Sequence, residues 1–203
     1  METTRRSAVM RWFSFSALVA ASAFAFAGCS LGGEQAGQTH VADPAAVVAV
    51  LPARPGLTST GPVTTLDAAG FTQALIGHPD ATLTQTLSSG GFQRGASRTW
   101  RGANGASLTA VVGLWNDGDP AQTLGGDAAN AVVPGGASWM PSEFSGSQGS
   151  RSATARALNV VDGQVSLFLR ATGPVNDATV LRQMSLMKQA EAGRDRRGTG
   201  SNG

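Results

Sequence analysis

Cys29 is the sole cysteine of the chain and closes the run Phe26-Ala27-Gly28-Cys29. Arg5, Arg6 and Arg11 precede it, and from Trp12 to Ala27 run 16 uncharged, mostly apolar residues. An apolar stretch of that length suits a secretory leader and falls short of the roughly 20 residues of a spanning helix. Small residues directly before a cysteine suit cleavage ahead of it and transfer of a diacylglycerol to its sulfur. Residues 1–28 are therefore expected to be a lipoprotein signal peptide, and Cys29 to be the acylated first residue of the mature chain. A plain signal peptide cut after Ala25-Phe26-Ala27 is the alternative; it would leave a free thiol in an oxidising space. The usual leucine three residues before such a cysteine is here Phe26. Thr4-Arg5-Arg6-Ser7 faintly matches a twin-arginine signal, and the general secretory route fits the following residues better.

Other reactive types are sparse. His40 and His78 are the two histidines, too far apart for a zinc-ligand spacing. His78 sits between Gly77 and Pro79 with Asp80 close by, a pairing that could serve as a general base and that turns also commonly contain. Asn116-Asp117-Gly118-Asp119 has the flavour of a calcium loop but lacks its distal glutamate. Neither a nucleophile elbow nor a phosphate loop is present. Met184 and Met187 have the spacing of a helix core. Hence no catalytic residue, metal ligand or cofactor is expected.

Of 15 basic and 13 acidic side chains, three and one lie in the leader, so the mature chain carries 12 of each. A neutral chain lacks the basic footprint of a nucleic-acid binder. With no second cysteine, no disulfide supports the fold. Residues 29–40 are Gly-, Gln- and Glu-rich and read as a lipidated tether, spanning roughly 18 Å for its last eleven residues. Residues 41–192 are long enough for one self-sufficient core. Residues 193–203 read as a disordered tail.

Within that domain, Asp43-Pro44 should open a short helix stopped by Pro52. Helices are expected over Thr65–Ile76, broken at Gly77-His78-Pro79, and over Pro79–Ser88. The period then changes to two. Leu108, Ala110, Val112 and Leu114 alternate with Thr109, Val111, Gly113 and Trp115, and Asn104-Gly105 ahead of them suits a hairpin turn. Asp119-Pro120 opens a helix to about Val132. A long Gly/Ser loop, Pro134 to Ser150, carries Trp139, Met140 and Phe144. A second hairpin, Arg151–Val161 with Gln164–Ala171, turns at Asp162-Gly163, and Asp177 starts a last helix to about Glu191. The two turns are 58 residues apart, as are Asp119 and Asp177. The expected fold is α+β: an antiparallel sheet of four or more strands, from two hairpin-helix units related by a duplication, with helices packed on one face.

With Asn104-Gly105 as the two central turn residues, Trp100 faces Thr109 and Arg98 faces Val111. Leu108, Ala110, Val112 and Leu114 then form the core face, continued by Leu158, Val160, Val165, Leu167 and Leu169. Arg98, Trp100, Trp115, Phe168 and Arg170 share the opposite face. Aromatics with a few arginines among small residues suit a ligand or partner surface. The alternative is that early helices or the Trp139 loop cover this face, making a second core. A one-residue slip exchanges the faces.

Gly91-Phe92-Gln93-Arg94-Gly95, Ser97-Arg98-Thr99-Trp100 and the cap Asn176-Asp177-Ala178 resemble a type of actinobacterial secreted lipoprotein of uncharacterised function, over about Leu66 to Ala190. The resemblance implies an envelope location and no catalysis. The expected protein is thus a non-enzymatic binding module, held on the extracytoplasmic face of the cell membrane by its lipid anchor. Its partner would be an envelope protein or a small ligand. A structural or assembly role, or an enzyme with an unrecognised site, are the alternatives.

Overall fold

The structure, a computed structural model, describes residues 43–198 apart from Thr60. The leader, Cys29, the tether with His40, and residues 199–203 lie outside the described residues.

Asp43 caps the first helix, α1 (Pro44–Ala49), its carboxylate accepting from the Ala45 amide, with proline at the first helical position. Two three-residue strands follow, β1 (Leu57–Ser59) and β2 (Thr64–Leu66). Next come α2 (Ala68–Ile76), α3 (Ala81–Ser89) and the long strand β3 (Phe92–Gly102). Strand β4 (Ser107–Trp115) leads into α4 (Gly118–Val132). Short strands β5 (Ala137–Ser138) and β6 (Gln148–Arg151) interrupt the segment expected to be a plain loop. Strands β7 (Ala155–Asp162) and β8 (Val165–Thr172) precede α5 (Asp177–Gly198).

The strands form one antiparallel sheet in the order β1-β3-β4-β8-β7-β6-β5, with β2 beside β1 on the outer edge of β3. The fold is α+β with an antiparallel sheet, as the alternating patterns indicated. The helices, however, cover both faces rather than one. On one face α1 and α5 pack Val47, Val48, Val180, Met184 and Met187 onto Leu108, Ala110, Val112 and Leu167. On the other, α2, α3 and α4 pack Phe71, Leu75, Leu87, Leu124 and Ala128 onto Val111, Trp115 and Phe168. Strand β4 is buried along nearly its whole length, because Val111 and Trp115 are apolar on the side expected to be a ligand or partner surface.

Local chemistry explains the boundaries. Asp67, not Thr65, starts α2: its carboxylate accepts from the Gly70 amide at 2.8 Å, and Thr64–Leu66 pairs with β3 instead. Asp80 caps α3 through the Leu83 amide at 2.9 Å. Asp117 caps α4, two residues earlier than the expected Asp119. Asn176 accepts from the Thr179 amide at the start of α5, and that helix continues past Glu191 to Gly198.

The β3–β4 hairpin closes through a three-residue loop, Ala103-Asn104-Gly105, with the Gly102 amide donating to the Ala106 carbonyl at 2.9 Å. Asn104 and Gly105 take left-handed φ values of 55° and 74°, which asparagine and glycine tolerate best. Trp100 therefore pairs with Leu108 and Arg98 with Ala110. That is one residue away from the expected register, and it moves β3's side chains to opposite faces. In the β7–β8 hairpin Asp162 pairs with Val165 around Gly163-Gln164. There the difference from the expected pairing is two residues, so the faces survive: Leu158, Val160, Leu167 and Leu169 lie in the core beside α5. The two hairpin-helix units send α4 and α5 to opposite faces, so the second is no spatial copy of the first.

Candidate functional site

The five residues expected to share a ligand face are divided by the sheet. Arg98 and Trp100 lie on the α1/α5 face. Trp100 is 1% exposed within the core there. The Arg98 guanidinium donates to the carbonyls of Ala49 (3.1 Å) and Leu51 (3.0 Å), tying down the end of α1. It also stacks over Trp100, 5.3 Å from the ring centroid. Both are structural groups, and the expected surface loses them because β3 is rotated by one position.

Trp115, Phe168 and Arg170 do lie on the other face. Trp115 and Phe168 are buried under α2–α4. The Trp115 indole N–H donates to Ser166 Oγ at 2.9 Å, and its ring meets Phe92 and Phe71 edge-on at 5.4 and 6.1 Å. Phe71 can lie flat on the sheet because the paired Gly95 and Gly113 present no side chain; a Cβ at either would come within 2.6 and 2.7 Å of its ring. This pair of aromatics is a second core, not a ligand platform.

Arg170 is different. It stands on β8 beside Thr109 of β4, at the end of the face that the helices leave uncovered. An open groove of about 850 Å³ runs there, floored by β2, β3, β4 and β8 and walled by α2. Thr64, Ser97, Thr99 and Thr109 line the floor, and Gly70, Gln73, Ala74 and Gly77 the wall. Thr99 and Thr109 hydroxyls sit 3.0 Å apart. Gly77 ends α2 in a left-handed conformation, φ 94°, and a Cβ there would fall 2.1 Å from an Arg170 guanidinium nitrogen. Glycine is thus required twice at this position, for the turn and for the arginine. Arg170 is partly buried, and burial lowers its guanidinium from the ordinary pKa. Among the described residues it has no carboxylate within ion-pair range and no hydrogen-bond acceptor. Its nitrogens are not sealed from the groove, so water reaches the guanidinium, while partial burial of the side chain favours an anionic partner there.

The remaining candidates do not converge. His78 is exposed, its Nδ1 3.2 Å from the Pro79 carbonyl, while Asp80 is engaged as a helix cap. Asp117 is likewise a cap. No cluster of three metal-ligating side chains occurs among the described residues. Sequence reasoning named Arg170 but missed Gly77, Thr99 and the groove wall. Gly77 was visible as a helix stop, yet its contact with a residue on the last strand depends on tertiary packing.

No family model and no curated protein matches the chain. Among solved structures it is similar to the extracellular domain of PknH from Mycobacterium tuberculosis, with a TM-score of 0.39 and 10% identity over 68% of this chain and 79% of that chain. Likeness at that level carries no argument about function. No helix among the described residues is long and apolar enough to cross a membrane.

Proposed function

We infer that this chain is a lipid-anchored envelope protein whose globular part is a non-enzymatic binding module, with the groove beside Arg170 as its binding site. The leader and Cys29 support the anchoring and the extracytoplasmic location. The observation that carries the binding role is Arg170: a partly buried guanidinium without a partner among the described residues, opening into a groove lined by hydroxyls. A volume of this size lies in the range of small-molecule sites. The groove holds donors and acceptors but no paired acid and base, which suits recognition without turnover.

Two measurements test this. Cys29→Ser should release the protein or leave an unprocessed precursor; normal membrane retention of that variant refutes the anchor. A set of small neutral and charged compounds, titrated into the ¹⁵N-labelled full chain, should shift the amides of Gly70, Gln73, Thr99 and Thr109. If no compound perturbs the groove, the binding role fails.

A further inference from the structure

The charge pattern of the groove narrows what it would hold. Four ionisable side chains line it besides the hydroxyls: Asp43, Asp67, Arg94 and Arg170. Both aspartates are committed to helix caps, Asp43 to the Ala45 amide and Asp67 to the Gly70 amide. Arg94 is exposed at the rim, so water satisfies it. Burial lowers the Arg170 guanidinium from its ordinary pKa. It sits beside Thr109, whose hydroxyl is within 3.0 Å of that of Thr99.

We propose that Arg170 and the Thr99–Thr109 hydroxyl pair hold a singly charged oxyanion, a carboxylate or a phosphodiester, as the head group of the groove's ligand. This rests on the groove being the binding site. A guanidinium presents two parallel N–H groups that match two oxygens of such an anion. One desolvated cation neutralises one charge. A dianion such as inorganic phosphate would carry a surplus charge toward the two aspartates of the same groove. One of the two hydroxyls donates to the other, so the pair offers at most one further donor to an oxygen that the guanidinium does not reach. Gly77 keeps the guanidinium exposed to the groove by leaving room behind it.

The probes are hexanoate for a free carboxylate, dimethyl phosphate for a free phosphodiester, and vesicles of phosphatidylglycerol for a lipid phosphodiester. Inorganic phosphate above pH 7.5 serves as the dianion. The readouts are the Arg170 Nε–H resonance of the labelled full chain and calorimetric affinity; vesicle binding is read by sedimentation of the Cys29→Ser chain. Hexanoate or dimethyl phosphate should move that resonance and bind about tenfold more tightly than inorganic phosphate, and Arg170→Gln should weaken them about tenfold or more. Vesicle binding lost in Arg170→Gln identifies a lipid source; its absence with a free probe bound identifies a soluble one. Gly77→Ala, which crowds the guanidinium, should weaken the same probes while Thr109→Val, nearly isosteric, weakens them less. Arg170→Gln should unfold at the same or a higher temperature than the parent, since it removes a partly buried cation that has no partner among the described residues. Binding unchanged in a folded Arg170→Gln, or inorganic phosphate bound as tightly as the monoanions, overturns the proposal. Neutral compounds that fill the groove without moving Arg170 overturn it while leaving the groove's binding role intact.

Discussion

The β3–β4 and β7–β8 hairpins look alike in sequence, each an alternating apolar pair of segments around an Asx-Gly dipeptide. They close differently. The first uses three loop residues and the second two. Because side chains alternate along a strand, the pairing sum decides which residues share a face, and an odd error inverts one whole strand. Asn104-Gly105 belongs to the first loop but is not all of it, so Arg98 and Trp100 end on the closed face. In the second, the pairing moves by an even step and Arg170 stays where the pattern puts it. Loop parity, more than composition, therefore separates the structural arginine from the one facing the groove.

The largest effect is expected at the shorter turn. Deleting Gly163 leaves one residue between the strands, so β7 must slip by one position against β8. That would turn Leu158 and Val160 out of the core, and loss of the cooperative thermal transition is expected. A folded variant with native amide shifts would show that parity is not what holds this register.

Trp100→Ala tests the face assignment of β3. Trp100 is buried in the core beside α1 and α5, so truncation should cost about 4 kcal/mol in chemical denaturation. A change near zero would return Trp100 to an exposed binding face.

A smaller effect is expected where the second unit joins its helix. Asp177, at the start of α5, pairs with Arg156 and Arg151. The hydrogen bond from Arg156, and less so that from Arg151, holds its carboxyl below the usual carboxylate range against an opposing desolvation. A depressed acid stabilises the fold above its unfolded pKa, and the contribution fades as pH falls through the folded value, below about 4. Asp177→Asn should therefore cost about 1 kcal/mol at pH 7, with the two proteins converging toward pH 3. An equal gap at both pH values would mean that the ion pairs do not act.

The smallest effect is expected at the longer turn. Deleting Ala103 leaves Asn104-Gly105 as a two-residue loop, with Gly102 still opposite Ala106 and every face preserved. Stability should change by less than about 1 kcal/mol. Loss of folding would contradict the three-residue loop.

Much of this fold was legible in the chain. The capping aspartate before Pro44, the stop at Gly77 and the alternation in β4 and β8 are local signals, and each appears in the structure. What the chain hid was non-local. Thr64–Leu66 fits a helix by its own pattern but is captured by the edge of β3. Ala137–Ser138 and Gln148–Arg151 carry Gly and Ser signals of a loop, yet the free edge of β7 recruits them. The apolar residues on the second face of β4 fit either a ligand surface or a second core under the early helices, and the packing of α2–α4 decides for the core. Arg170 was visible as a candidate; its partnerless state and the Gly77 contact required the packing of α2 against β8.

The equilibrium stability of Arg170→Met measures the contrast between the two arginines most directly. A cation that awaits a ligand adds nothing to the unliganded fold, so the variant should unfold at an equal or higher denaturant midpoint than the parent. A midpoint lower by more than about 1 kcal/mol in free energy would show that Arg170, like Arg98, is bound into the structure and that the groove has no charge to offer.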